Sequence, residues 1–330
     1  MTRPVGMPSP AQALAHAAAR AVLAPSVHNT QPWRFILGPR SLEIRRDETR
    51  QLSVLDPSGR QQTISCGCAL YNVRVGLHRF GFASVVDRFP DPADPGLVAR
   101  VTIDEDAKVP PGPWAELDSA IDDRHTNRRR FADEPVPSEI VDDLVRAAAD
   151  EGAELVVPIR LEHRLALGSL SREADREQNA DPAYRAELRA WTTDDPRRPD
   201  GVPASAVPHV DGAAIDDVPI RDFDTHGIGW LPVDTHSSLD QCLLVLTTQA
   251  DDAPSWVQAG EALEHLWLEL TRRGYAASLL TQVIEVSWTR AALREQLALT
   301  TYPHILLRVG RAPATEPTRR RPMADVVSER

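Results

Sequence analysis

The sequence predicts an α+β protein built from two tandem copies of one helix-and-strand unit, and three observations carry that reading. Gly67-Cys-Ala-Leu70 is followed, fourteen residues from glycine to glycine, by Gly81-Phe-Ala. Gly260-Glu-Ala-Leu263 is followed at the same span by Gly274-Tyr-Ala. The strand patterns beyond them, Leu97-Val-Ala-Arg-Val101 and Ile305-Leu-Leu-Arg-Val309, also agree. One shared glycine spacing arises easily by chance, whereas all three features together do not. The copies are expected over residues 1–113 and 114–330, the second with a long insertion at about 163–235. Two such copies should pack as a pseudo-symmetric pair, an isologous dimer inside one chain.

Taken in order, Ser9-Pro10-Ala11-Gln12 reads as a helix start, with Ser9 as N-cap, Pro10 in the first turn and Gln12 closing a capping box. Leu14, Ala18 and Val22 mark one face of that helix up to Pro25. Trp33–Leu37 and Ser41–Arg46 form a hairpin across Gly38-Pro39, and 47–64 reads as polar connection. Cys66, Ala69, Leu70, Val73, Leu77 and Phe80 recur at helical spacing, and Gly81 sits at a C-terminal cap. A strand follows at Leu97–Ile103, then an acidic, proline-rich boundary at 104–113.

The second unit opens near Trp114. Ser138 is expected to cap a helix carrying Ile140, Leu144, Val145 and Ala148, with a buried strand at Ala153–Leu161. Residues 163–235 read as irregular, with helical patches at Leu165–Glu173 and Tyr184–Trp191 and a loop at Thr192–Pro208. Cys242–Thr248 is a strand, Val257–Arg273 a helix and His304–Gly310 a strand.

With 37 Lys and Arg against 48 Asp and Glu, a net charge of −11 argues against non-specific binding to nucleic acid or anionic membranes. Cys66, Cys68 and Cys242 are too few for a disulfide framework. Residues 1–10 lack the layout of a signal peptide, and no apolar run approaches a membrane span, so a cytoplasmic protein is expected.

Two stretches carry candidate chemistry. Ala24-Pro-Ser-Val-His-Asn-Thr-Gln-Pro-Trp33 holds its backbone between Pro25 and Pro32 while Ser26, Asn29 and Gln31 supply donors and acceptors. By composition alone a helix stop with a core tryptophan is the favoured reading. Arg124-His-Thr-Asn-Arg128 sets two cations and a hydroxyl at alternating positions, suited to phosphate or a polar chain, though such runs are usually solvated surface. Arg319-Arg-Arg321 reads by itself as an exposed basic tail. His163, His209, His226 and His236 lack metal-ligand spacing, and no metal is expected. There is no nucleophile elbow, Walker loop or dinucleotide fingerprint.

Together these segments resemble the FMN-dependent nitroreductase superfamily: the first its S-x-x-N-x-Q-P-W signature, the second its R-x-S-x-[RK] motif, the third its C-terminal basic segment. The first half has the Q-P-W loop but only Arg3 near its opening helix, while the second half has the arginines and, after its helix, runs Asp150-Glu-Gly-Ala where that loop belongs. Such complementary loss is similar to the Acg-type, single-chain pseudo-dimers of actinobacteria, and the resemblance covers nearly the whole chain.

That resemblance implies a nitroreductase-like fold and one FMN per chain. Pro25, Ser26 and Asn29 would contact the flavin ring or ribityl chain, and Gln31, with Pro32 and Trp33, would hold that cofactor loop in shape. Arg124 and Thr126 would hold phosphate and ribityl hydroxyls, and Arg128 would stabilise the reduced ring. Leu280, Thr281 and Gln282 would line the flavin near N5, with Thr281-Gln282 where relatives often carry Glu-Gly. Arg320 and Arg321 would close the phosphate site, with their register open by one residue. The implied catalyst is the flavin, with no catalytic side chain, NAD(P)H as electron donor and a nitroaromatic, quinone or similar small molecule as acceptor.

A second reading stays open: an FMN storage or sequestering protein whose insertion, with Trp191, His209, His226 and Trp230, covers the site as a lid. That insertion reads equally as a surface excursion. A monomer is expected, with weaker self-association left open.

Overall fold

The protein is described as a computed structural model covering residues 8–193, 195, 197–206, 217–223 and 241–330. Helix α1 (Pro10–Val22) is followed by strands β1 (Trp33–Leu37) and β2 (Ser41–Arg46), helix α2 (Arg60–His78), and strands β3 (Ala83–Arg88) and β4 (Leu97–Asp104). Helices α3 (Trp114–Asp123) and α4 (Ser138–Asp150) lead to β5 (Glu154–Val156), then α5 (Leu161–Ala180), α6 (Pro182–Ala190) and the short strands β6 (Thr192–Thr193) and β7 (Val202–Pro203). The chain ends with β8 (Cys242–Thr248), α7 (Ala253–Arg272), β9 (Ala276–Leu279), α8 (Gln282–Glu285), α9 (Ser287–Gln296), β10 (Tyr302–Gly310), α10 (Met323–Val326) and β11 (Val327–Glu329).

Two principal sheets result. One has the order β11-β1-β2-β4-β3, antiparallel except where β11 lies parallel to β1. The other has the order β5-β8-β10-β9 and is antiparallel throughout. The last strand of the chain thus extends the sheet made by its first hundred or so residues.

Helices α2 and α7 form the centre. Only Arg60 and Arg74 of α2 escape burial, so this helix has no solvent face and its polar residues must find partners inside. It opens behind Gly59 (φ 71°) and is released by Gly81 (φ 75°). The Asp252 carboxylate accepts from the Ser255 N–H at 3.0 Å to start α7, and Gly274 (φ 75°) ends it.

The two helices meet at Gly67 and Gly260. A Cβ on Gly67 would stand 2.2 Å from the Val257 carbonyl oxygen, and one on Gly260 would stand 2.0 Å from that of Ile64. Each glycine therefore presses on the carbonyl three residues before the other.

The expected hairpin and the Cys242–Thr248 strand have the bounds read from the sequence, and Ser9 and Gln12 make their capping box. Other expectations are corrected. Residues 60–64 belong to α2, because Gly59 rather than a polar residue turns the chain into the helix. Ser138 is the first residue of α4 and makes no capping bond. The strand expected over Ala153–Leu161 is only β5, because Leu161 already begins α5, and that helix makes the insertion far more regular than its composition implies. Strand β3 is missed because its exposed positions break the alternation. Arg3, His209, His226, Trp230 and His236 lie outside the described residues.

Candidate functional site

A cavity of about 330 Å³ opens between the first loop of the chain, helices α2 and α7, and the insertion. Pro25, Ser26, Asn29, Arg124, Thr126, Arg128, Thr281 and Arg320 all line it. Four other expected residues turn elsewhere. Leu280 is buried in the core beneath β10, and the Gln282 amide donates to Asp175 at 2.6 Å. Gln31 is fully buried, donating to the Pro199 carbonyl at 2.9 Å and accepting from the Arg321 N–H at 2.7 Å. Arg321 itself reaches the Gln31 and Asp325 carbonyls, so within the basic run it is Arg320 that faces the cavity.

The opening loop owes its shape to local bonds. The Ser26 hydroxyl accepts from the Gln31 N–H at 2.9 Å, and the Asn29 N–H donates to the Ser26 carbonyl at 3.0 Å. His28, Asn29 and Gln31 all take left-handed backbone (φ 47°, 54° and 49°), which costs on the order of 1–3 kcal/mol per residue outside glycine. The Asn29 amide donates to the carbonyls of Gly201 and Arg319 at 3.0 and 3.2 Å, tying the loop to the insertion and the C-terminal tail. These bonds use the amide nitrogen that the sequence reading assigns to a ligand.

The Arg124–Arg128 stretch leaves α3 in extended conformation and is pinned beside β9. The Asn127 N–H donates to the Ala277 carbonyl at 2.9 Å, and the Asn127 side chain donates to the Pro313 carbonyl at 2.7 Å. Arg124, His125, Thr126, Arg128 and Arg129 of this stretch all line the cavity.

The cavity has two charged ends. At one, Arg124 and Arg320 both donate to the Leu23 carbonyl, at 3.0 and 3.2 Å, and Arg124 lies 3.3 Å from the fully buried Glu264. At the other, Arg128 and Arg221 lie over the Phe223 ring at 4.8 and 5.8 Å, and His28 meets the same ring edge-on at 5.4 Å. Glu285 takes both oxygens to Arg221, at 2.5 and 2.6 Å, and also accepts from Gln178 and Thr281.

Arg124 and Arg221 thus each have a buried carboxylate. Among the described residues Arg128 and Arg320 have none. Burial and a neighbouring arginine push them down to about 10 and about 9, in Arg320 against a smaller opposing pull from Glu264.

His28, Phe223, Arg221, Glu285 and Glu264 carry no motif of their own, and sequence reasoning misses them. The insertion contributes Val202, Pro203, Ser205, Ala206, Ile220, Arg221 and Phe223 to the cavity wall. It is held there by a cluster in which Leu52 and Leu55 pack with Tyr184, Leu188, Val202 and Phe223, with Val27 and Trp191 against them. Among the described residues no group of three or more His, Cys, Asp or Glu side chains is arranged to hold a metal ion. No helix among them is long and apolar enough to cross a membrane.

Glu264 gives a pH prediction. Burial pushes its carboxyl up to about 7 despite Arg124, against an ordinary value of 4.5. A raised acid adds stability that is complete below 4.5 and is lost as pH rises through about 7, roughly 3 kcal/mol at most. Glu264→Gln should abolish that slope. Thermal melts of the ligand-free protein from pH 5 to 8 check this, with the wild-type minus variant difference cancelling Asp56, which burial also raises, to about 6.

No family model matches the chain. Over 316 residues it is 36% identical to a Mycobacterium tuberculosis H37Rv protein named "Putative NAD(P)H nitroreductase Rv3131", spanning 93% of this chain and 88% of that one. It is 31% identical over 309 residues to acg of the same organism, which bears the same kind of name, spanning 92% and 91%. Among solved structures, a nitroreductase with bound FMN from Desulfitobacterium hafniense DCB-2 is 13% identical, with a TM-score of 0.42 over 64% of this chain and 97% of that one.

Proposed function

The chain belongs to the nitroreductase family of Rv3131 and acg, and on that premise we propose that it is an FMN-binding, NAD(P)H-dependent oxidoreductase built as a single-chain pseudo-dimer. The observation that carries the reading is the convergence of three distant segments on one cavity, through Pro25, Ser26 and Asn29, through Arg124, Thr126 and Arg128, and through Arg320. Five arginines line it, and among the described residues Arg128 and Arg320 make no salt bridge to a carboxylate, which suits the cavity to an anion such as a phosphate.

The pseudo-dimer rests on two supports. Strands β1-β2-β4-β3 and β5-β8-β10-β9 share one order, each set interrupted by its central helix, α2 or α7. Gly67 and Gly260 press on one another reciprocally, as residues across a two-fold axis do.

In this reading Arg124 and Arg320 bind the phosphate, with Thr318 orienting Arg320 through a 2.7 Å bond from the guanidinium to its hydroxyl. Arg128 holds positive charge at the far end of the cavity, where charge develops on reduction. Glu285 fixes Arg221 and Thr281 around that end, and the insertion screens it from water. The flavin supplies hydride transfer through N5 when bound, and the acceptors are nitroaromatic or quinone-type molecules.

Reconstitution with FMN tests this: one flavin per chain is expected by absorbance, and a protein that retains none overturns the reading. Arg320→Ala should weaken FMN binding by about 10- to 100-fold, the value of one charge-assisted contact.

A second reading, FMN storage, is favoured by one observation: the insertion lines the same cavity, where it could bar nicotinamide. Anaerobic mixing with NADPH and NADH separates the two. Rapid bleaching supports the oxidoreductase. Reduction by dithionite alone supports storage, and regained bleaching after deletion of 192–208 would assign the block to the insertion.

A further inference from the structure

We infer that His28 is the hydrogen-bond donor that positions the oxygen of the electron acceptor, so that the Phe223 end of the cavity takes neutral molecules whose reducible group is a carbonyl or nitro oxygen. The inference rests on the flavin reading above. His28 lines the cavity at 7% exposure, yet both ring nitrogens are buried without a hydrogen-bond partner, so a turn of the ring is what brings its N–H to a ligand. Buried imidazoles rarely stay unsatisfied, so a side chain left this way inside a cavity points to a ligand. Its backbone is also left-handed, a conformation that persists in non-glycine residues chiefly where function requires it.

The neighbouring side chains narrow the role. Asn29 and Gln31 are committed to carbonyls of the insertion and the tail, whereas His28 instead meets Phe223. Burial, together with Arg221 and Arg128, holds the ring neutral, down at about 3, against a smaller opposing pull from Glu285. A neutral imidazole adds no charge for phosphate binding, which the arginines already serve. What it offers is one N–H donor, suited to a neutral oxygen that gathers negative charge as electrons arrive. A quinone becomes a hydroquinone by taking one hydride and one solvent proton. His28 supplies neither, and acts as a positioning residue.

The test uses the FMN-loaded full chain. First, the dissociation constant of 1,4-naphthoquinone for the oxidised protein is read from the perturbation of flavin absorbance. Second, photoreduced protein is mixed anaerobically with the quinone or with ferricyanide, which takes single electrons without a hydrogen bond. His28→Leu should raise the quinone dissociation constant and slow quinone reoxidation, on the order of tenfold in all, while ferricyanide reoxidation and FMN affinity move less than about twofold. His28→Gly, which the φ of 47° accommodates, should behave alike if the leucine variant misfolds, and added imidazole should restore its quinone rate. Loss of FMN affinity, equal slowing with both oxidants, or an unchanged quinone rate would each overturn the role. Wild-type protein that retains no flavin would instead remove the flavin reading itself.

Discussion

Gly260→Ala is expected to cost about 3 kcal/mol or more of unfolding free energy, and Gly67→Ala a similar amount. The added carbon has nowhere to go: at Gly260 it would lie 2.0 Å from a backbone carbonyl and 2.8 Å from the Gly67 Cα, and neither can rotate away as a side chain could. The helices must separate, and α2 and α7 hold the largest core cluster between them. Overpacking of a core commonly costs about 1–3 kcal/mol, and backbone against backbone belongs at or beyond the upper end. Separation would also spread Ser65 and Cys68 of α2 from Leu263 of α7 across the cavity, so flavin retention should fall with stability.

Urea melts of the two single variants and the double variant check the mechanism. Once one alanine has moved the helices apart, the second meets less resistance, so the double variant should cost clearly less than the sum. Gly96→Ala is the control. Its Cβ would meet only side-chain tips, the Asp94 carboxylate at 3.3 Å and the Arg45 guanidinium at 3.9 Å, and a change within about 0.5 kcal/mol is expected.

That contact shows what the sequence makes legible. The paired G-x-A-L segments can be read because a close helix crossing demands glycine, and the demand appears twice at one spacing. The Q-P-W loop and the arginine motif can be read because each is contiguous. What stays hidden is assembled over distance. Arg221 and Glu285 stand 64 residues apart and are linked only by the folded insertion. Arg124 and Glu264 stand farther apart still, and nothing near either one announces the other. His28 sits inside the legible loop yet carries no signal, since only the absence of a hydrogen-bond partner distinguishes it from a spacer. Arg320 and Arg321 are adjacent in a run of like residues, and only the path of the tail across Gln31 decides which faces inward.

The same logic predicts why the chain should hold one flavin rather than two. In the two-unit reading, matching Gly67 to Gly260 sets Cys68 against Glu261 and Thr281 against Arg88. Glu261 is 1% exposed and is bound by Arg74 at 2.9 Å and by Arg88 at 2.6 Å, while Arg74 also reaches Glu151 at the end of α4. The positions that face the cavity in one unit are filled in the other by an ion network around the buried Glu261. The loop is missing too, since ten residues separate α1 from β1 but only three separate α4 from β5.

Glu261→Ala takes from Arg88 its carboxylate and from Arg74 one of two, and because Arg88 is 36% exposed and Arg74 keeps Glu151, a cost of about 1–3 kcal/mol is expected. A double change of Arg88 and Glu261 to apolar residues of similar size should cost less than that single change, because Arg88 is no longer left without a carboxylate while Arg74 keeps Glu151. Denaturant melts measure both. FMN stoichiometry should stay at one per chain in every variant, because clearing the ions does not restore the seven residues by which the second connection is shorter. Two flavins bound to the Arg88 and Glu261 double variant would show that the ions, and not the missing loop, had closed the second site.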